Sequence, residues 1–293
     1  MIQIILRGGM GNQMFEYAAG LSLAKKYNTD LVLDTTFLSD RFPRKNFTYR
    51  RYELDAFAIA PRFTVLSKVS DAVPIPGVWL GLALGTAKAN DIFRTRKFIK
   101  EENEGHFDPS VLEVGGNVCL WGYWQSEKYF ADIKDEVAQA FTFSGALPPA
   151  AEEIAREIKS TNAVALSVRR GDYVNAVNAK IFGGTDLAYY ERAISYIAER
   201  VPSPCFYIFS DDVAWCRENI KPPFPVVYIP SDIEGRFAMR LSSLCKHQII
   251  ANSTFSWWGA WLNRNPEKIV VAPKRWHAGM EQDDVVPEGW MRI

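Results

Sequence analysis

The 293-residue chain has little cysteine, no net charge and no apolar run approaching the ~20 residues that a membrane-spanning helix needs. Each shortage excludes something. Its four cysteines, Cys119, Cys205, Cys216 and Cys245, form neither a Cys-x-x-Cys pair nor a zinc spacing. No disulfide framework or metal site is therefore expected, and the thiols suit a reducing compartment. Lysine plus arginine and aspartate plus glutamate stand at 34 each, so no nucleic-acid partner is implied. No charged-then-apolar leader precedes the first apolar run at residues 3–6, and a cytoplasmic location is expected. Repeats and low-complexity segments are also missing.

What is present is ordinary globular composition, 48% apolar and 23% charged, at a length that suggests two domains. Residues 2–34 read as a β-α-β unit whose turn carries Gly8, Gly9 and Gly11. Met14 stands where a dinucleotide fingerprint would have its third glycine, so the turn alone does not specify a nucleotide. Residues 34–71 are irregular and aromatic. Residues 74–85 are apolar or glycine and precede the basic residues Arg94, Arg96, Lys97 and Lys100. That pairing fits either a buried element of the first domain or peripheral contact with the inner face of a membrane. Near residues 141–150 a glycine and a Pro-Pro pair read as a linker. After it, strands and helices alternate, which predicts a doubly wound parallel sheet.

Three stretches carry chemistry. Residues 163–168 read as a strand buried on both faces, and Arg169, Arg170, Gly171 and Asp172 follow at once, delivering charge to the carboxyl end where open α/β sheets bind ligands. Arginine there implies an anion, held bidentately by a guanidinium that stays protonated. Strand parity puts Ser167 and Arg169 on one face, so Arg169 is the expected ligand contact, with Arg170 orienting the loop or pairing with Asp172. A solvated charge pair at a strand end is the alternative. Asp211 and Asp212 follow another strand, one as a helix cap and the other available to a nucleotide. Asn252, Ser253, Thr254 and Ser256 cluster between a strand and a helix start, more hydroxyls than one cap requires, which suits a phosphate. Separately, Trp121, Tyr123 and Trp124 alternate as in a strand, and with Gln125 beside them they suit a sugar or a packed core equally well.

The run from Gly8 to Phe15, the stretch 122–130, Arg169-Arg170-Gly171-Asp172-Tyr173, Phe209-Ser210-Asp211-Asp212, and Cys245-Lys246-His247 leading into residues 252–261 together resemble the alpha-1,2-fucosyltransferase family, as a bacterial member. The resemblance spans nearly the whole chain. It implies two Rossmann-like doubly wound α/β domains facing a cleft (GT-B-like), with residues 1–150 on the acceptor side and 151–293 binding the donor. It implies GDP-fucose as donor and inverting transfer to the 2-hydroxyl of a terminal galactose on an oligosaccharide or lipid-linked glycan, without cofactor or essential metal. It further implies that the arginine motif contacts the donor, with Arg169 and Asp172 as catalytic residues; with the polar positions read above, the expected donor site is Arg169, Arg170, Asp211, Asn252, Ser253, Thr254 and Ser256. Gly9, Gly11, Asn12, Gln13, Trp124 and Gln125 are the candidates on the acceptor side. Asp172, Glu16 and His247 are the candidate bases. Two positions depart from the family: Ser167 stands where histidine is usual, and Ala238 where an acid is usual. These departures keep open a transferase for another nucleotide sugar and an inactive nucleotide-sugar or glycan-binding protein.

Overall fold

The computed structural model describes residues 1–39, 48–64, 96–170, 185–276 and 283–293. Gly171, Asp172, Tyr173, the 74–85 stretch and Arg94 lie outside them. The chain divides into two compact units, Met1–Ser144 and Gly145–Ile293, each built on one parallel sheet. No helix among the described residues is long and apolar enough to cross a membrane.

In unit 1, β1 (Ile2–Ile5) is followed by α1 (Met10–Lys26), β2 (Leu31–Asp34), α2 (Thr36–Ser39), β3 (Arg62–Phe63), β4 (Lys97–Lys100), β5 (Val118–Trp121) and α3 (Lys134–Ala140). The strands lie in the order β3-β2-β1-β5-β4, all parallel. Central β1 is buried throughout, and its one polar residue, Gln3, donates from Nε2 to Asp34 Oδ2 at 2.8 Å. The helix begins at Met10, four residues ahead of the apolar stripe that starts at Met14, because Gly9 supplies no capping side chain and Glu53 replaces it. The Glu53 carboxylate accepts the Met10 amide at 2.9 Å. Lys97 and Lys100 are exposed on an edge strand, where lysine discourages pairing with another chain, so this part of the basic cluster has a structural explanation.

The expected alternation of Trp121, Tyr123 and Trp124 does not occur. Strand β5 ends at Trp121, and Trp124 takes a left-handed backbone with φ of 54°. Ser126 caps the following helix as expected, accepting the Lys128 amide, but Glu127–Ile133 is a 3-10 helix.

Unit 2 runs α4 (Pro149–Ser160), β6 (Asn162–Val168), α5 (Leu187–Ala198), β7 (Pro204–Ser210), α6 (Val213–Asn219), β8 (Val226–Tyr228), α7 (Gly235–Leu244), β9 (His247–Ile249), α8 (Thr254–Trp261), β10 (Val270–Ala272) and β11 (Met291–Arg292). All strands are parallel, in the order β11-β10-β9-β6-β7-β8. Strand β6 is buried on both faces, as its composition predicts. Val164, Leu166 and Val168 pack with Tyr189, Tyr190 and Ile197, while Ala163 and Ala165 pack with Ala155, Ile158 and Leu241. The small residues admit helices closely on one face and the branched ones fill the other.

Leu166 is fully buried at the middle of that core. Leu166→Ala should lower stability by about 2–5 kcal/mol through lost burial and the cavity left behind, whereas Lys97→Ala at the exposed edge should change it by less than about 0.5 kcal/mol. Urea unfolding of the two variants checks the contrast.

Candidate functional site

The strand order of unit 2 reads 3-2-1-4-5-6 when its strands are numbered in sequence, the doubly wound arrangement in which the connections diverge between strands one and four. Here those are β6 and β9. A crevice opens where the two connections leave in opposite directions, so residues just beyond the carboxyl ends of β6 and β9 face one site. The first set is Arg169 and Arg170, and the second begins at Asn252.

Arg169 and Arg170 are held by the carboxyl end of the neighbouring β7. Arg169 Nη1 lies 3.0 Å from Asp211 Oδ2, and Asp211 Oδ1 accepts the Arg170 amide at 2.9 Å. Asp211 thus organises both arginines, with about a quarter of its side chain still exposed. Arg170 turns the other way, with its guanidinium 4.0 Å from the centre of the Trp215 ring and its Nε 3.4 Å from Asp212 Oδ2. Asp212 is the helix cap, accepting the Trp215 amide at 3.0 Å. Arg170 thus contacts Asp212 and Trp215, while its expected partner Asp172 lies outside the described residues. About a third of the Arg169 side chain is exposed, enough to meet a ligand.

Beyond β9 the hydroxyls divide. Ser256 is buried and donates back to the carbonyls of Ala251 and Ser253 at 3.1 and 2.9 Å, which assigns it to holding the turn. Asn252 is buried too, its Nδ2 donating to the Trp276 carbonyl. Ser253 occupies the N-cap of α8 without using its side chain as the cap, and Thr254 opens the helix; both are partly exposed. The positive end of α8 with these two hydroxyls is the part of the stretch that can meet an anion.

His247 does not belong to this site. It begins β9, at the amino edge of the sheet, and its Nδ1 accepts the Ile269 amide at 3.1 Å. Burial and neighbouring Lys246 push its pKa down. Spacing within the run 245–252 could have shown this placement, since His247 and Asn252 stand at opposite ends of the intervening strand.

In unit 1 the glycine turn and the segment after β5 follow the carboxyl ends of the neighbouring parallel strands β1 and β5. Arg7, beyond β1, stacks on Trp121 and Tyr123 with its guanidinium carbon 4.7 and 4.1 Å from the ring centres. Its amide donates to both oxygens of Glu16, at 3.1 and 2.9 Å. Glu16 is completely buried, and that burial raises its pKa well above the ordinary carboxylate value. Beyond β4, Glu101 accepts the amides of Tyr123 and Trp124 at 2.6 and 3.2 Å, and burial pushes its pKa up to about 7. Arg7 and Glu101 were not singled out in the sequence, and Tyr123 was read only as one of three alternating aromatics. The signal was available in position alone: each lies one or two residues past a strand.

Of the residues expected on the acceptor side, Gln13 is buried and ties the glycine turn to the 51–53 segment, donating to Gly8 and Arg51 carbonyls and accepting the Glu53 amide. Gln125 donates to Asn12 Oδ1 at 3.1 Å. Trp124 is 1% exposed and packs edge-on against Tyr129, so it offers no stacking face. Gly11 is buried in the first turn of α1, while Gly9, Asn12 and Tyr123 are partly exposed.

The sequence profile of glycosyl transferase family 11 matches residues 1–293. The O-antigen biosynthesis glycosyltransferase WbnK of Escherichia coli is 34% identical over 301 residues, covering 98% of this chain and 99% of that protein. An alpha-1,2-colitosyltransferase of Escherichia coli is 34% identical over 295 residues, covering 98% and 97%. The galactoside 2-alpha-L-fucosyltransferase SEC1 of Bos taurus is 28% identical over 266 residues, 87% of this chain and 62% of that protein. Among solved structures, the fucosyltransferase NodZ from Bradyrhizobium aligns at 14% identity over 88% of this chain and 91% of that one, with a TM-score of 0.48.

The raised Glu101 pKa carries a sign. A carboxyl whose folded pKa exceeds its unfolded value favours folding most when protonated, and that contribution is lost as the pH rises through the folded value. The melting temperature should therefore fall as pH rises through about 7, where Glu101 ionises. Glu101→Gln, neutral throughout, should flatten this part of the profile in differential scanning calorimetry.

Proposed function

The chain belongs to glycosyl transferase family 11, the alpha-1,2-fucosyltransferase family, and from that premise we propose that it transfers L-fucose from GDP-fucose to the 2-hydroxyl of a terminal galactose, with inversion. Unit 2 is the donor side in this reading and unit 1 the acceptor side. The observation that carries it is the juxtaposition of Arg169 and the α8 amino end at the β6–β9 switch point.

The chemistry follows from charge. The acceptor oxygen attacks the anomeric carbon as the bond from that carbon to the diphosphate oxygen breaks, and negative charge accumulates on the departing GDP. Arg169, with the Ser253 and Thr254 end of α8, can stabilise that charge without a metal ion. A unit charge pair at about 4 Å contributes roughly 4 kcal/mol at an effective dielectric near 20, or about three decades in rate when felt only in the transition state. Asp211 offsets part of this, because Arg169 already has a carboxylate partner. Its other effect is to keep the guanidinium in place before the donor arrives. Arg170, stacked on Trp215, shapes the loop. The hydroxyl proton passes to a carboxylate; this reading assigns Asp172, which follows Arg169 in the same motif.

A second reading is favoured by two observations, one in the sequence and one among the relatives. Ser167 replaces the histidine usual in the family, on the strand face of Arg169, and one 34% identical relative is an alpha-1,2-colitosyltransferase. A different GDP-linked sugar, on an oligosaccharide or lipid-linked glycan, is the alternative. Peripheral contact with the inner face of a membrane rests on the apolar 74–85 stretch alone. Anionic liposomes test it: failure to co-float at low salt removes that contact.

Release of GDP from GDP-fucose, with galactose-terminated acceptors and in EDTA, tests the main reading. Arg169→Ala should fold and lose about 100-fold or more in kcat/KM, and Arg169→Lys should recover only part because an ammonium cannot bind bidentately. Arg200→Ala, at an exposed helix end, should be unaffected. Near-normal transfer by Arg169→Ala would sink the proposal, and turnover of another GDP-sugar in place of GDP-fucose would select the alternative.

A further inference from the structure

Beside the glycine turn of unit 1 lies a pocket of about 190 Å³, walled by Gly8, Gly9, Asn12, Tyr49, Arg50 and Tyr123 among others. It lies just beyond the carboxyl ends of the neighbouring parallel strands β1 and β5, the edge at which open parallel sheets bind ligands. We infer that this pocket seats the terminal pyranose ring of the acceptor, with Tyr123 as its stacking wall and Asn12 and Arg50 as hydroxyl partners. The inference rests on unit 1 being the acceptor side and specifies where and how the sugar is held.

Three observations support it. The wall has the composition that sugars require: aromatic rings for the C–H face, and amide and guanidinium groups for the hydroxyls. Two glycines form the adjoining wall, and one of them is obligatory. Gly8 has φ of 68°, and a Cβ on it would collide with Asn12. The backbone thus approaches the pocket as closely as a polypeptide can, while Asn12 keeps its position.

Tyr123 is also held with unusual effort. Arg7 stacks on its ring at 4.1 Å, and Glu101 grips its amide. The next residue, Trp124, is forced into a left-handed backbone, with an indole N–H that has no hydrogen-bond partner among the described residues. Such a conformation in a bulky residue costs about 1–3 kcal/mol and persists only where the surroundings enforce it, typically at binding sites. Gly122 completes the bracket, since a Cβ there would strike Glu101. Strain, a buried carboxylate and a stacked arginine all converge on the placement of one tyrosine. Core packing needs none of this, because the half-buried Tyr123 contributes little to the core.

Methyl β-D-galactopyranoside is the probe, observed by saturation-transfer NMR on the full chain. The wild type should show transfer to the ring protons, and Tyr123→Ala should weaken binding by roughly tenfold, the upper end of what one aromatic stack contributes. Gly9→Ala guards against misfolding. A Cβ at Gly9 meets only Glu53 at 3.6 Å and Arg50 at 3.9 Å, ordinary contacts, so this variant should fold while its methyl group narrows the pocket against Arg50 and weakens the sugar. Calorimetric titration of GDP in the same samples reports on unit 2 separately and should be unchanged in both variants. Absence of transfer to the wild type, or unchanged transfer in both variants, overturns the pocket assignment whatever GDP does. Loss of GDP binding by the wild type would overturn the donor reading and leave the pocket result standing.

Discussion

A parallel strand covered by helices on both faces has no room for charge, and this constraint shapes both halves of the protein. In β6 every second residue faces one helix layer and the rest face the other, so Asn162–Val168 carries no ionised group. Charge can appear only where the strand leaves the sheet. Arg169 and Arg170 are the first residues free of that limit in unit 2, and Arg7 is the equivalent in unit 1. In unit 2 the divergence of connections at β6–β9 then leaves those ends uncovered. Function is placed by what the core excludes.

The two sites use arginine differently. Arg169 is paired with Asp211 at 3.0 Å, but about a third of its side chain remains accessible, so the pair positions a cation more than it stabilises the fold. Arg170 and Arg7 are stacked on aromatic rings, which orients a guanidinium without spending its hydrogen-bond donors. In unit 2 the stacked arginine supports its neighbour. In unit 1 it supports a tyrosine. The buried carboxylates Glu16 and Glu101 serve the backbone, each accepting amides at a strand end. Their raised pKa values reflect enclosure. Perturbed carboxyls here mark the scaffold of a site and do not by themselves identify a base.

Much of unit 2 was readable in advance because its central strands β6 and β7 are seven-residue, largely apolar runs that end in charge, and period and punctuation agree. Val270–Ala272 and Met291–Arg292 were missed, being too short to show a period. Near Trp121 the reading failed for a specific reason. Alternating aromatics suggest an extended strand, but Glu101 captures two successive amides and Gly122 allows the chain to fold over it. That contact joins residues twenty or more positions apart, and no local pattern encodes it. Ser256 and Asn252 illustrate the reverse case: their cluster was legible, but which polar atoms turn inward was decided by the carbonyls of Ala251 and Trp276.

By itself the sequence determined that the chain is α/β with parallel sheets, that Arg169 and Arg170 stand at a strand end, and that a hydroxyl-rich turn opens a helix. These follow from local rules, periodicity and the exclusion of charge from buried strands, which act over a few residues. Only the tertiary structure decided that Asp211 organises both arginines, that His247 lies at the wrong edge of its sheet, and that Tyr123 rather than Trp124 presents a ring. Each of those depends on strand order and register, which are set by the packing of both sheet faces at once and bring together residues that the chain keeps far apart.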